Sequence, residues 1–536
     1  MELREYQKRQ LDFLVKHEDC DEVVGLESPT GSGKSFVIVN YITHLFNRHE
    51  NLNVVITTGS NNLVFEFAAT AKKWGLDPII IVGNNLLTCY DNKDAGQIFS
   101  LNQDNWCSTI KKNSKVKDAN GKLVLCDACK RCRYPHLIST KAKINDFTKN
   151  RLIITNHQAF LSHVFGSGMY HPDVVIVDEA HLFSTFYSNW KNTEITKEDI
   201  DKIFNCLKGK PQEKLFEIFL EKGDPIPQQL AIKICDLIRV NYKALTELKK
   251  WVENLCSRIE QFTEKKSNEI FYDINKQHMK KIIFWNHYDI MQHSIQYRLF
   301  SATLDRFTRM MFGMDPDRFD YFYKERNLNL IDYTKSDAYI YKLNDFNVAL
   351  NDFIKKCEER KFKQGLILST TLENVANLKK QGKVGKYTVY TTLKDFREAK
   401  GYKVLVGSRA LFQGIDIPTI QFVMLNKIPF EQYDEEFKMK VNYLNTTIGI
   451  DPWTDYSIPF VNNTMIQTTG RLWRGPDDFG LVAISDSRLD GRFSYLLRNI
   501  TEVRKGINLH ILYNDEEENM EGFEEIVRDV SDNNCN

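Results

Sequence analysis

The sequence predicts an α/β protein built from two parallel-sheet units. Short, continuously apolar runs of four or five residues occur in the first third of the chain and again late in the chain. Such runs are typical of strands that are buried on both faces of a parallel sheet. Helical stretches separate the runs in both regions, which is the alternation that an α/β unit requires. At 536 residues the chain exceeds what one hydrophobic core usually supports, so several domains are expected.

Each predicted strand is a run of β-branched or other apolar residues. In the first unit the strands are expected at residues 22–26, 53–57, 152–155 and 174–177. In the second unit they are expected at residues 365–368, 403–406, 422–425 and 481–484. Only the first unit carries a phosphate-binding loop, which follows its first strand and precedes a helix predicted over residues 36–46. We therefore expect one of the two units to bind the triphosphate.

The phosphate-binding loop runs from residue 28 to residue 35. Its glycines let backbone N–H groups converge on phosphate oxygens, and the start of the following helix favours an anion. Lys34 is expected to contact the β- and γ-phosphates, and the Ser35 hydroxyl to ligate Mg²⁺. Ser28 stands where the general pattern has its first glycine. The expected nucleotide-binding residues are Ser28, Pro29, Thr30, Gly31, Ser32, Gly33, Lys34 and Ser35.

Two further segments are predicted to act on the triphosphate. Asp178 follows an apolar strand and is expected to hold Mg²⁺, whereas Glu179 is the better candidate to polarise the attacking water. Far along the chain, Arg471 and Arg474 lie one helical turn apart and are expected to reach the γ-phosphate from one face. An inserted arginine of this kind accelerates phosphoryl transfer by ~10³–10⁵. Gln467, four residues before Arg471, shares that face.

Gln7 precedes the loop in the segment Arg4-Glu5-Tyr6-Gln7. Its amide has both a donor and acceptors, which suits the edge of an adenine. A solvated helix face is an equal alternative for these residues.

Two segments depart from the alternation and interrupt the first unit. Residues 84–150 are basic and cysteine-rich, and residues 191–290 are almost wholly helical by pattern. From Cys107 to Arg151 there are 12 Lys/Arg against 3 Asp. This charge suits contact with a phosphate backbone, and a solvated surface is an equal alternative. The helical segment carries an apolar stripe that is expected to pack in a core, at Leu245, Leu248, Val252, Leu255, Ile259 and Phe262.

Composition places the chain among soluble intracellular proteins, in the cytoplasm, nucleoid or nucleus. No apolar run reaches the 18 residues of a membrane span, and the charged N-terminus is not that of a signal peptide. Eleven cysteines in a chain of this length do not indicate a disulfide scaffold. The acidic residues 513–536 are expected to form a solvated or disordered tail. We expect a monomer.

In this order, the segments resemble the XPD/DinG family of superfamily 2 DNA helicases over nearly the whole chain. Besides the phosphate-binding loop and the Asp-Glu-Ala-His box, the likeness rests on residues 57–63 (motif Ia), 301–304, 407–418 (motif V), 467–474 (motif VI) and 486–488. The resemblance implies two RecA-like motor domains, the first interrupted by a [4Fe–4S] domain and by a helical arch. It also implies that Gly414 and Asp416 of motif V belong to the nucleotide site.

The resemblance sets the expected domain boundaries. The first motor domain comprises residues 1–83, 151–190 and 291–318. The iron–sulfur domain occupies residues 84–150 and the arch residues 191–290. The second motor domain covers residues 319–512, and the acidic tail covers residues 513–536.

Five cysteines between residues 89 and 132 are candidate metal ligands. The spacing Cys126-x₂-Cys129-x₂-Cys132 places three thiols within reach of one centre, as in ferredoxin-like runs that take a fourth ligand from farther away. The resemblance favours Cys89 as the fourth ligand of a [4Fe–4S] cluster, with Cys107 as its rival. Zinc is the alternative, held by two pairs such as Cys89/Cys107 and Cys126/Cys129.

These features predict an ATP-dependent DNA helicase that moves along single-stranded DNA and unwinds tailed duplexes. The resemblance implies 5′→3′ movement. The alternative is a DNA-stimulated translocase that displaces proteins from DNA without processive unwinding. A nuclease with an accessory ATPase ranks last, because no additional cluster of carboxylates or histidines is evident. A purely structural nucleic-acid-binding module is disfavoured by the complete set of phosphate-transfer residues.

Overall fold

A computed structural model describes most of the chain outside the cysteine-rich segment. The described residues are 3–28, 32–81, 150–164, 172–242, 248–263, 270–284, 295–314, 319–324, 336–342, 345–408, 420–470, 472, 479–489, 507–512 and 517–518. Within these ranges, no helix combines the length and the apolar character that a membrane span needs.

Strands and helices are numbered in chain order. The strands are β1 (Val24–Glu27), β2 (Asn53–Thr58), β3 (Ile79–Ile81), β4 (Arg151–Asn156), β5 (Val174–Asp178), β6 (Thr193–Ile195), β7 (Ile270–Ile274), β8 (Met279–Ile283), β9 (Gln296–Ser301), β10 (Phe322–Lys324), β11 (Asp337–Tyr341), β12 (Gln364–Leu368), β13 (Lys383–Val384), β14 (Tyr387–Tyr390), β15 (Lys403–Gly407), β16 (Phe422–Leu425), β17 (Leu481–Ser485), β18 (Asn508–Leu512) and β19 (Glu517–Glu518). The α-helices are α1 (Glu5–Lys16), α2 (Lys34–Arg48), α3 (Asn61–Lys73), α4 (His157–Val164), α5 (Phe183–Lys191), α6 (Lys197–Leu207), α7 (Pro211–Lys222), α8 (Gln228–Tyr242), α9 (Lys249–Glu260), α10 (Arg306–Met311), α11 (Phe346–Glu359), α12 (Leu372–Gln381), α13 (Leu393–Glu398), α14 (Glu435–Tyr443) and α15 (Ile458–Thr469).

The first lobe is built on a seven-stranded parallel sheet in the order β10–β1–β9–β5–β2–β4–β3. Alternate residues of one strand face two separate cores. Val175 and Val177 pack in the core that includes Phe160 of α4, whereas Val174 and Ile176 pack in the core on the opposite side. Helices therefore cover both faces of the sheet, which is why its strands read as continuous apolar runs.

The second lobe is built on a nine-stranded sheet in the order β13–β14–β15–β12–β16–β17–β11–β18–β19. Its central strands are parallel, and antiparallel pairs β13/β14 and β18/β19 close the two edges. Again the side chains alternate, with Leu366 and Leu368 in one core and Ile367 in the other. The predicted α/β class with two parallel-sheet units is confirmed, and each of the eight predicted strands overlaps an observed one.

The segment predicted to be almost wholly helical also contains a sheet, so that expectation is wrong. Strands β6, β8 and β7 form an antiparallel sheet that packs with α6–α9 around one separate core. Within the predicted stripe, Leu255, Ile259 and Phe262 are fully buried, and Val252 nearly so. Leu248 is instead 37% exposed because it precedes the first turn of α9. Leu245 lies outside the described residues.

The first lobe extends beyond the boundary predicted at residue 318. Strand β10 (Phe322–Lys324) pairs in parallel with β1, with Phe322 opposite Gly25. It therefore belongs to the first sheet. Strand β9 was not predicted from the sequence. It lies between β1, which leads into the phosphate-binding loop, and β5, which ends at Asp178.

A fully buried arginine on β9 fixes the end of α1 against the sheet. The Arg298 guanidinium donates to the carbonyl oxygens of residues 17, 18, 20 and 22 at 3.0–3.3 Å and to the Tyr41 hydroxyl at 3.3 Å. These carbonyls follow the last turn of α1, where a cation is favoured by the helix dipole. One side chain thus donates to four carbonyl oxygens of the segment that joins α1 to β1.

We expect Arg298→Met to destabilise the first lobe strongly. The carbonyl oxygens of residues 18, 20 and 22, in buried or partly buried bonds, lose a donor at ~1 kcal/mol or more each, so the loss should be about 3 kcal/mol. Chemical unfolding followed by circular dichroism measures the loss. Arg9→Met, at an exposed position on α1, is the matched control and should stay within about 0.5 kcal/mol of the parent. Equal stability of both variants would contradict this account of Arg298.

Candidate active site

The carboxyl ends of three neighbouring strands bring the predicted first-lobe residues together. We call residues 178–181 the acidic turn. Because β9 lies between β1 and β5, the phosphate-binding loop, the acidic turn and Ser301 share one edge of the sheet. In open parallel sheets, ligands bind at this edge.

Ser28 stands where the general loop pattern has a glycine, and its backbone and hydroxyl groups form hydrogen bonds that hold the loop in place. Its N–H donates to the Ser301 carbonyl oxygen at 2.9 Å, and its hydroxyl contacts the Ser32 hydroxyl at 2.6 Å. Gln10 Nε2 donates to the same Ser28 hydroxyl at 3.0 Å. Lys34 Nζ donates to the Ser28 carbonyl oxygen at 2.9 Å, so the loop contacts its own lysine.

The far side of the loop is held by α1. Tyr6 Oη and Gln7 Nε2 both donate to the Ser32 carbonyl oxygen at 2.9 Å. Gln7 Oε1 accepts from the Arg4 N–H at 2.9 Å, so both ends of this amide are engaged within the protein. Gly33 follows in the left-handed region with φ +79°, where an added Cβ would lie 2.3 Å from Gln7 Nε2. The adenine contact of Gln7 stays a prediction, and here the residue supports the loop.

Asp178 ends β5 as a buried carboxylate. Burial and the neighbouring charge of Glu179 raise the pKa of Asp178 to about 8, and the charge of Lys34 opposes that rise. A carboxylate in such a site is kept ionised by a cation. The donor set therefore fits a magnesium ion held by Asp178 together with the Ser35 hydroxyl at the start of α2.

Glu179 adopts a backbone conformation that is rare for a residue with a side chain. Its φ is 53° and its ψ 46°, in the left-handed region. Such a conformation costs on the order of 1–3 kcal/mol and is found preferentially at functional sites. Gly59 leaves room for the turn, because an added Cβ there would lie 3.0 Å from Leu182 Cδ1 and 3.9 Å from Glu179 Cβ.

The His181 side chain connects three segments of the site. Its Nδ1 lies 2.8 Å from Ser301 Oγ, and its Nε2 is within hydrogen-bond distance of Gln467 Nε2. Gln467 Nε2 also donates to Glu179 Oε2 at 3.4 Å. Burial lowers the pKa of His181 despite the nearby charge of Glu179. The neutral ring has one donor and one acceptor, which matches a serine oxygen on one side and an amide N–H on the other.

Helix α15 of the second lobe supplies a second contact one turn before Gln467. Asn463 Nδ2 donates to Asp305 Oδ2 at 2.6 Å. Asp305 lies just after residues 301–304, which we call the Ser-Ala-Thr segment. Asn463, Asp305 and Tyr6 were not predicted to be site residues. The i, i+4 spacing of Asn463 and Gln467 was the available signal for the first of them.

Helix α15 ends at Thr469, before the predicted arginines. The remaining predicted site residues lie outside the described residues: Pro29, Thr30, Gly31, Gly414, Asp416, Arg471, Arg474, Cys89, Cys107, Cys126, Cys129 and Cys132.

Comparisons with known proteins agree with this architecture. Residues 350–502 match the profile of a helicase C-terminal domain, and residues 1–207 match that of the type III restriction enzyme res subunit. Among solved structures, one titled XPD helicase aligns with a TM-score of 0.63 and 14% identity over 96% of this chain and 100% of that chain. The structure of S. tokodaii Xpd4 aligns with a TM-score of 0.59 and 15% identity, over 94% and 100%.

Curated relatives match over shorter segments. The ATP-dependent DNA helicase YoaA of Escherichia coli K12 is 32% identical over 92 residues, which is 17% of this chain and 14% of the relative. The ATP-dependent DNA helicase DinG of Photobacterium profundum is 26% identical over 114 residues, which is 21% of this chain and 16% of the relative. The resemblance to XPD/DinG-type superfamily 2 helicases is confirmed. In the fold shared with the aligned XPD structures, the contacts of Gln467 lie between the two lobes.

Gly33→Ala should weaken nucleotide binding at least about tenfold, because the added methyl group combines a left-handed φ with a contact against Gln7. Gly401→Ala is the matched control, since Gly401 has φ +86° with open space around its Cβ position. Titration with a fluorescent ATP analogue gives the affinities. Unchanged binding by Gly33→Ala, or an equal loss in both variants, would show that the contact with Gln7 is unimportant.

Proposed function

We propose that this protein is an ATP-dependent DNA helicase whose ATP site lies between the two lobes. One observation carries the proposal. Gln467 of the second lobe contacts Glu179 and His181 of the first, at the sheet edge that holds the phosphate-binding loop. A residue of motif VI that touches the acidic turn makes the geometry at the triphosphate depend on how the lobes are arranged.

The described residues supply most of the chemistry of hydrolysis. Lys34 neutralises charge on the β- and γ-phosphates, and Glu179 polarises the attacking water. Asp178 and Ser35 would hold Mg²⁺, which when bound would neutralise charge that develops on the phosphate oxygens. Arg471 and Arg474 are proposed to complete the site from the second lobe. Phosphoryl transfer requires mainly positioning and charge neutralisation, so small changes in the lobe arrangement would change the rate.

We further propose that the lobe motions driven by ATP move the protein along single-stranded DNA, 5′→3′, and separate the strands of a duplex. Two curated relatives are named ATP-dependent DNA helicases, which supports DNA as the substrate. Displacement of bound proteins without processive unwinding is the second candidate. The insertion between Thr193 and Ile283 has a core separate from that of the first lobe. An additional folded unit of this kind supports a role beyond ATP hydrolysis.

The basic segment at 84–150 is proposed to hold a [4Fe–4S] cluster through Cys89, Cys126, Cys129 and Cys132, with Cys107 as the rival fourth ligand. Such clusters take four cysteine thiolates, and the two x₂ spacings match those of ferredoxin-like runs. Zinc remains the alternative occupant.

Lys34→Ala should lower DNA-stimulated ATP hydrolysis at least ~100-fold, because the phosphates lose a cation that contacts them directly. Lys72→Ala, at an exposed position on α3, should hydrolyse ATP at the parental rate. Retained turnover in Lys34→Ala would refute the site assignment. Strand displacement with 5′-tailed and 3′-tailed duplexes, beside displacement of a DNA-bound protein, then distinguishes the helicase from the remodelling translocase and gives the polarity.

Anaerobically purified protein should contain about four irons and four acid-labile sulfides per chain. Cys129→Ser should lose most of the iron, whereas Cys20→Ser, outside the cysteine-rich segment, should retain it. Elemental analysis by mass spectrometry measures iron and zinc in the same sample. Stoichiometric zinc without iron would establish the alternative occupant.

A further inference from the structure

Three consecutive residues of the first lobe contact the second lobe immediately after the Ser-Ala-Thr segment. Each meets a different kind of partner: Asp305 accepts a hydrogen bond from Asn463, Arg306 forms an ion pair with Asp455, and the Phe307 ring lies edge-on to the Tyr456 ring. The distances are 2.6 Å, 3.3 Å and 4.8 Å between ring centroids, respectively. We call residues 305–307 the docking segment.

Asp305 forms hydrogen bonds through both of its carboxylate oxygens. Its Oδ1 accepts from the Thr308 N–H at 2.7 Å and so caps α10, while its Oδ2 accepts from Asn463 Nδ2. Asn463 is 6% exposed, so this bond is shielded from water. Hydrogen bonds to a charged group in such surroundings are stronger than neutral ones. The Arg306–Asp455 pair is more exposed and contributes less.

A short chain of contacts links Asp305 to the phosphate-binding loop. The N–H of Leu304 donates to Glu27 Oε2 at 2.7 Å, and Glu27 ends the strand from which the loop begins. On the other side, Asn463 lies one turn before Gln467 on the same face of α15. The bond between Asp305 and Asn463 therefore fixes the helix that carries Gln467 relative to the loop.

We propose that Asp305 and Asn463 are positioning residues for ATP hydrolysis. Their bond sets the approach of α15, so that Gln467 meets the acidic turn. The inference rests on the proposed function. It adds two residues, both outside the helicase motifs named above, to those that act in ATP hydrolysis. The pair acts on the closed arrangement of the lobes, so its loss reduces turnover more than it reduces ATP binding by the first lobe.

The chemistry of the pair permits a reciprocal exchange. Asn463→Asp places a second carboxylate against Asp305 and replaces attraction by repulsion. Adding Asp305→Asn restores a donor opposite an acceptor, and asparagine is as good an N-cap as aspartate, so α10 keeps its cap. Asn442→Asp, at an exposed position on α14, is the matched control for the same change of charge.

The experiment measures DNA-stimulated ATP hydrolysis and thermal unfolding of the full chain. Asn463→Asp should lower kcat about tenfold, the rate equivalent of one charge-assisted hydrogen bond, while the KM for ATP changes less than about twofold. The double variant should recover to within about twofold of the parent, and Asn442→Asp should match the parent. If Asn463→Asp does not fold, Asn463→Ala takes its place, with an expected kcat loss of about threefold or more.

Parental kcat in the Asn463 variant would overturn the proposal, and so would a double variant as impaired as Asn463→Asp. A loss confined to the KM would assign the pair to nucleotide binding instead and equally overturn it. Failure of the proposed function itself gives a different result, because the parent protein would then lack DNA-stimulated hydrolysis.

Discussion

The arrangement of the candidate site depends on the buried contact between His181 and Ser301. Ser301 ends β9, the strand between the phosphate-binding loop and the acidic turn, and its carbonyl oxygen accepts from the first residue of that loop. Its hydroxyl meets the imidazole, whose other nitrogen faces the second lobe. Three segments that are far apart in sequence thereby share one polar junction, and a buried junction of this kind tolerates few alternative geometries because each unpaired group is costly.

Much of the fold could be predicted because the parallel strands are buried on both faces. Runs such as 174–177 and 422–425 need no neighbouring context to be identified as strands. Strand β9 was missed because it carries Arg298, a charge that only the carbonyl oxygens of a distant turn make compatible with burial. The sheet of the insertion was missed because β6–β8 are strands of three to five residues among helices.

The site was predictable to the extent that its chemistry is local in sequence. The phosphate-binding loop and the Asp178–Glu179 pair are contiguous patterns with a known purpose. The contacts of Asn463 and the role of Ser28 depend on which side chains the fold brings within 3 Å, and no spacing rule supplies that information. The left-handed conformation of Glu179 is similar, because the residue types around Asp178 and Glu179 do not specify it.

The way in which the helical insertion joins the first lobe has a consequence for how such chains vary. Its first strand, β6, pairs antiparallel with its last, β8, and the Ile283 N–H donates to the Asn192 side chain at 2.8 Å. The path into the insertion and the path out of it therefore run side by side. Most apolar residues between them share one core, whereas Phe271 packs against Tyr443 of the second lobe. Such an insertion can become longer or shorter, or be replaced by another, while the connectivity of the first lobe stays the same. Its binding specificity can therefore change while the ATP-binding lobe does not.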